Sequence, residues 1–351
     1  MTLRALVAEL RQYAQLDGRY APEAAEATRV LAGLAAAEPP VPGAHPDSWW
    51  GLAPLTTTAA VVPPGGTVYV SPSKVESVQK SPLDWFVQAA GGEAATDFAR
   101  SLGTLVHAIA QDLPDASGSE YVAELVRRWP SLGMKDNWEG KLDFQRAEAM
   151  VRKLAQYVLV MRSEGRSLLG VEQDFEVRLP DLPADTGAEQ AENDADAEPA
   201  SGSSSRSAVL RGQVDRLEID AEGRLVIVDL KTGKRQPGKT ELSRHPQLGA
   251  YQAAVLAGGF GDAPGALPDP RPGGAVLAQL GTGTKNPGVQ QQDALDPQEN
   301  WALEMVTDAA VVMSGNSFEA RHDPSKGRQG GHGCRLPEVC PLCIRGKQVT
   351  E

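Results

Sequence analysis

Cysteine is scarce in this chain of 351 residues: there are three, Cys334, Cys340 and Cys343, all near the C-terminus. An odd count gathered in one short stretch argues against a disulfide framework and points to metal binding, with His332 beside the group. No apolar run is long enough to span a bilayer. The N-terminal MTLRALVAELRQYAQ carries an acid among its bases and reads as an amphipathic helix, not a signal peptide. The chain is therefore expected to be soluble and cytoplasmic, with no membrane partner. A cationic excess is also missing: 34 Lys and Arg face 46 Asp and Glu, for a formal charge of -12. That sign disfavours a protein that grips phosphates over a broad basic face. No internal repeat is visible, and no second glycine-rich or motor motif is present.

Part of the acidity is local. Between Pro180 and Ser207, Asp181, Asp185, Glu189, Glu192, Asp194, Asp196 and Glu198 stand against Arg206 alone, in a stretch rich in Ala, Gly and Ser. Without apolar periodicity, residues 180–207 read as a disordered insertion at a hairpin tip, between a strand at 171–179 and another beginning at Val209. The remainder stays mildly acidic. Tight DNA binding by this chain alone is not expected, whereas a tethered motor delivering the strand would overcome the charge.

The chemistry gathers in RGQVDRLEIDAEGRLVIVDLKTG and the HPQLGAYQAAVLAGG that follows. Leu225–Val228 is an unbroken apolar run, which suits a central strand buried on both faces. It ends in Asp229-Leu230-Lys231, where the i and i+2 side chains share one face, so a carboxylate and an ammonium are paired at a strand end. Val209–Ile219 also has strand composition, and Asp220–Gly223 makes a hairpin turn that brings Asp215 near Asp229. Two converging carboxylates repel unless a cation lies between them, and hard oxygen ligands select Mg2+ or Mn2+. Pro246 then starts a helix that Gly258-Gly259 stops, with Gln247 and Tyr251 on one face.

These motifs resemble the RecB-type branch of the PD-(D/E)XK nucleases, in which an Asp, a later Asp-x-Lys and a Gln-x-x-x-Tyr helix form the site. Gly103-Thr-Leu-Val-His107 is similar to the family's upstream histidine motif, and Ser71-Pro-Ser-Lys-Val-Glu with Ser81-Pro-Leu-Asp-Trp-Phe to its opening motif. The resemblance covers roughly residues 67 to 345 and is nearest to the C-terminal nuclease modules of actinobacterial AdnB-like helicase-nucleases, an impression that Pro42–Leu52 strengthens. It implies a restriction-endonuclease-like α/β fold with an αβββαβ core, a mixed central sheet flanked by helices. It implies a DNA exonuclease that processes ends in double-strand-break repair with a UvrD-like helicase motor, fused or separate. By the same resemblance Asp215, Asp229, His107 and the Leu230 carbonyl hold one or two Mg2+ or Mn2+ ions, Lys231 orients a water and stabilises charge on phosphorus oxygens, and Gln247 and Tyr251 position the strand. Glu172, outside the family's motifs, is a further candidate to lie near the metal.

Relatives also pin the C-terminus with a four-cysteine iron–sulfur cluster. Its first cysteine falls at Ser81 here, so the set is incomplete. Three readings stay open: a metal-free remnant, a zinc site of Cys334, Cys340, Cys343 and His332, or a cluster with an unusual ligand.

Other readings compete. Gly233–Thr240 satisfies GxxxxGK[ST], which taken alone argues for a P-loop NTPase through Lys239. Against it, the strand at 275–280 ends without an acidic pair, and the next helix start fits Pro246. A non-cleaving DNA-binding or scaffold module of the same fold is a second alternative. Arg216, Lys234 and Arg235 read as surface charge within reach of phosphates, and His107 among apolar neighbours as a core histidine. Trp85 and Phe86 read as core. The chain divides into a helical N-terminal segment and Pro/Gly-rich linker (1–66), the nuclease domain (67–345) and a tail (346–351). Helical pattern covers 73–90, 93–109, 120–164 with a break near Pro130, and 299–314.

Overall fold

A strand with no exposed face organises the molecule. The computed structural model describes residues 3–14, 21–49, 57, 59–92, 98–134, 136–182, 205–261, 270–299 and 301–321. Most of the acidic insertion, Lys135, the cysteine cluster and His332 lie outside these residues. Contacts group the chain into two compact units, residues 1–59 with 319–351, and residues 60–318. In the first, α1 (Leu3–Tyr13) and α2 (Ala21–Ala35) bury Val7 and Leu31 with Ala44. The Trp49 indole donates to the Gly43 carbonyl at 2.8 Å.

The second unit is a six-stranded mixed sheet between two helical layers. Two Ser-Pro pairs open it. After β1 (Thr67–Val70), Ser71 caps α3 (Pro72–Lys80), and Ser81 caps α4 (Pro82–Ala89), each with proline in the first turn. The single helix expected over 73–90 is thus two, because Pro82 cannot donate into a continuing helix. Ser81 is buried and its hydroxyl accepts from the Asp84 N–H. Then follow α5 (Phe98–Asp112), α6 (Gly118–Arg128), a 3-10 turn at Trp129–Leu132 and α7 (Trp138–Ser163). The turn through Pro130 is the predicted break.

β2 (Ser167–Arg178), β3 (Ser207–Ile219) and β4 (Leu225–Lys231) form the antiparallel run, and α8 (Lys239–Ser243) and α9 (Pro246–Leu256) lead to β5 (Pro272–Gln279), which is parallel to β4. β6 (Gly288–Gln292) and α10 (Trp301–Ser314) close the unit. Strand order is β1-β3-β4-β5-β6, with β2 on the other edge of β3. The αβββαβ core is therefore α7-β2-β3-β4-α9-β5, and β1, β6 and the short α8 are additions to the expected plan.

β4 alternates between two apolar layers. Leu225 and Ile227 pack with Leu248, Tyr251 and Val306 on the α9–α10 side, and Val226, Val228 and Leu230 pack with Val106, Ile109 and Leu154 on the α5–α7 side. Truncating such a fully enclosed aliphatic side chain to alanine costs about 2–5 kcal/mol.

On the α7 side the sheet also buries a charged knot. Glu218 accepts from Arg166 at 2.9 Å, from Arg216 at 3.2 Å and from the Tyr157 hydroxyl at 3.0 Å. Arg216, expected at the surface, is fully enclosed and also donates to the Pro114 carbonyl. It is structural because Glu218 lies two residues on, on the same face, and neutralises it there.

Candidate active site

The site lies where β3 and β4 part. Their ladder ends at Arg216–Val228, so Asp215 and Asp229 occupy the first rung beyond the last pair. Asp215 fills the fork with its carboxylate: Oδ2 accepts from the Leu230 N–H at 2.6 Å. The N–H and C=O of one strand residue face the same neighbour, so the Leu230 carbonyl is also on the β3 side.

Regular alternation fails at this point. Val214 and Leu217, three residues apart, both belong to the α9-side core, while Arg216 and Glu218 are buried toward α7. Across the β2–β3 ladder, Glu172 stands opposite Asp215, between the pairs Val171–Arg216 and Gln173–Val214. It is the one non-glycine residue with positive φ (48°) among the described residues. Such a backbone costs about 1–3 kcal/mol and collects at functional sites.

Two connected sets of side chains result. One is His107, Glu172 and Asp215, whose potential ligand atoms all lie within 4.8 Å of one another. His107 Nδ1 is 3.3 Å from Asp215 Oδ1. Burial lowers the imidazole's pKa, but the hydrogen bond and charge of Asp215, with Asp229 and Glu172 beyond, overcome it and leave a net rise. Glu172 is held above the usual carboxylate range by burial and by the charge of Asp215.

The second set is Asp229, Lys231 and Gln247. Gln247 donates Nε2 to Asp229 Oδ1 at 2.7 Å, and its Oε1 accepts from Lys231 Nζ at 2.6 Å. Lys231 Nζ also lies 2.8 Å from Asp229 Oδ2. That approach is off the hydrogen-bond direction, since the same oxygen has no hydrogen-bond partner. Burial pushes Asp229 up to about 6 against the pull of Lys231, with Asp215 adding to the rise. Burial would lower Lys231, but Asp229 raises it on balance, which keeps it a cation.

Gln247 and Tyr251 do share a face of α9. Gln247 is engaged by Asp229 and Lys231, and the Tyr251 hydroxyl donates to the Gln213 carbonyl at 3.1 Å. Burial, then Asp229 and Asp215, raise the Tyr251 pKa strongly. His245, the α9 N-cap, is buried with Nδ1 unpartnered. Lys234 and Arg235 follow β4, and Arg235 pairs with Glu241 at 2.9 Å.

Gly103 explains how α5 reaches the site. A Cβ there would lie 2.9 Å from Thr232 Oγ1, just past Lys231. Only glycine lets the helix settle on the end of β4, and His107, four residues on, lies on the same helix face. Glu172 is the residue whose importance the sequence least reveals, because its neighbours depend on register.

The donors fit a hard divalent cation. Two carboxylates face each other across a ladder and gain from a shared positive charge. Beside them, Asp229 Oδ2 is buried with no aligned hydrogen-bond donor, the Lys231 ammonium lying 2.8 Å away. The GxxxxGK[ST] segment lies beyond this set. It forms a loop after β4 with α8 beginning at Lys239, seven residues before the predicted helix start, and β5 ends in Gln279 with no acidic pair.

The sequence profile of the PD-(D/E)XK nuclease superfamily matches residues 69–341, and this chain belongs to that superfamily. No curated protein matches the chain. One solved structure, described as "Crystal structure of SSO0001", aligns over 71% of this chain and 79% of that one, at 9% identity and a TM-score of 0.30; a score that low carries no argument about the fold. No helix among the described residues is long and apolar enough to cross a membrane.

Proposed function

We propose that the chain is a metal-dependent deoxyribonuclease of exonuclease type, working as the nuclease module of a helicase-nuclease at DNA ends in double-strand-break repair. The observation that carries the chemistry is the fork itself: Asp215 beside His107 and Glu172, facing Asp229 and a lysine fixed by two partners. The motifs that resemble the RecB type, and the acidic charge that calls for a motor to deliver the strand, support the finer reading. A UvrD-like partner in the cytoplasm fits both.

Asp215, Glu172 and His107 would hold Mg2+ or Mn2+, with Asp229 and the Leu230 carbonyl on the other side of the fork. Such an ion polarises the scissile phosphate and makes a water more acidic. Lys231 remains protonated and serves as a donor to phosphorus oxygens as negative charge develops, not as a base. Gln247 fixes the lysine by accepting from Nζ, and it orients Asp229 by donating to Oδ1. Tyr251 braces β3 beside Asp215 through the Gln213 carbonyl. The cysteine group remains a proposal for zinc or an iron–sulfur cluster, read by metal analysis of anaerobically purified protein.

The test is Mg2+- or Mn2+-dependent cleavage of DNA by the wild type, Asp229→Ala and Lys231→Ala. Loss in both variants with the fold retained is expected, and full activity in both would sink the proposal. DNA binding without cleavage by the wild type would favour the scaffold alternative.

A further inference from the structure

Next to the fork, part of β3 has an edge with no strand partner, where the Tyr251 hydroxyl takes the Gln213 carbonyl. One edge pairs with β2 along 209–219; the other is covered by β1 only as far as Leu210 and by β4 only from Arg216. Residues 211–215 lie between these two neighbours. A cleft of about 580 Å³ opens there, with Tyr69, Lys74, Asp174, Glu176, Arg211 and Gln213 in its walls.

Its walls carry an aromatic ring and a flat cation in contact. The Arg211 guanidinium lies over the Tyr69 ring, 4.0 Å from its centroid, and Tyr69 is 43% exposed. Glu176 faces Arg211 across the ladder, yet no ion pair joins them. Lys74 donates to the Tyr69 carbonyl at 3.3 Å, and burial together with the charge of Arg211 holds it below the ordinary lysine value. Arg211 precedes Asp215 by four residues, so it stands about 13 Å along the strand from it. An extended polynucleotide covers that distance in a few nucleotides.

Charge decides what kind of strand fits. Asp174 and Glu176 balance Lys74 and Arg211, so the cleft offers little net attraction to phosphate. A duplex, with about one charge per 1.7 Å of axis, would press phosphates against the two acids. An unpaired base can instead lie on the Tyr69–Arg211 surface, where stacking needs no sequence match. We infer that Tyr69 and Arg211 form a stacking platform for an unpaired base of a single-stranded nucleic acid whose backbone continues to Asp215. Only the continuation to Asp215 rests on the nuclease reading.

The experiment measures binding of a labelled phosphorothioate oligothymidylate, which resists cleavage, to the full chain in Mn2+. Tyr69→Ala should weaken binding by about 5- to 150-fold, equivalent to about 1–3 kcal/mol for one stacked base. Tyr69→Phe should restore it, since the ring is kept, and a blunt duplex should compete less well than the single strand. Equal binding by Tyr69→Ala, no binding by the wild type, or equal competition by the duplex would overturn the platform. Cleavage of an unmodified strand separates the two readings. A Tyr69→Ala binding defect with no wild-type cleavage defeats the nuclease reading alone, and wild-type cleavage with an unchanged KM in Tyr69→Ala defeats the platform alone.

Discussion

Replacing Asp229 by asparagine should stabilise the metal-free protein more at neutral pH than at acid pH. Burial raises this carboxyl from an ordinary 3.8 to about 6, against the opposing charge of Lys231. The unfolded chain releases the proton near 3.8, whereas the folded chain keeps it until about 6, so the native state binds more protons across that window. Stability therefore falls as pH rises through it, and the whole penalty is present above about pH 6. Roughly two pH units correspond to about 3 kcal/mol. Asparagine has no charge to bury, and its amide oxygen can still accept from Gln247. The difference in unfolding free energy between Asp229→Asn and wild type should thus move by about 2.5 kcal/mol in the variant's favour between about pH 4 and pH 7. Any pH-independent cost of the substitution cancels in that change. Urea denaturation in EDTA across the range measures it. A difference that stays constant, or moves the other way, would refute the reasoning.

Other substitutions probe the supports of the site. Gly103→Ala places a methyl 2.9 Å from Thr232 Oγ1 and should cost about 1–3 kcal/mol by thermal denaturation, with Thr232→Ala restoring much of the loss in the double variant. Glu172→Gln should stabilise the metal-free protein by removing repulsion with Asp215, yet weaken Mn2+ binding about tenfold or more; thermal shifts with and without Mn2+ read both effects. Glu218→Gln leaves Arg166 and Arg216 enclosed without their carboxylate and should cost about 3–5 kcal/mol in denaturant unfolding.

The helix–strand order of the core was legible because its signals are local. Leu225–Val228 is apolar enough to require burial on both sides, and Pro246 and Gly258 mark where α9 starts and stops. The Asp229–Lys231 pairing followed from strand alternation. What was only a bare candidate, or escaped, depends on register between distant segments. Glu172 meets Asp215 only through the β2–β3 ladder, and the loss of alternation at Asp215 turns Arg216 inward where composition suggested a surface charge. β1 is four residues long and stands just before the opening motif at Ser71, with no element assigned to it from the sequence, although Thr67–Val70 is rich in β-branched residues. β6 is mostly glutamine and carries almost no apolar signal; it is held by pairing with β5.

The central claim is that the fork between β3 and β4 cleaves phosphodiesters with a divalent ion at Asp215. The most direct measurement is the rate of DNA cleavage against Mn2+ concentration for the full chain and for Asp215→Asn, with matched folding checked by circular dichroism. The account predicts wild-type cleavage that rises with Mn2+ and stops in EDTA, and a variant slower by about a hundredfold or more at every concentration. Cleavage by Asp215→Asn at the wild-type rate, or wild-type cleavage that persists in EDTA, would contradict it.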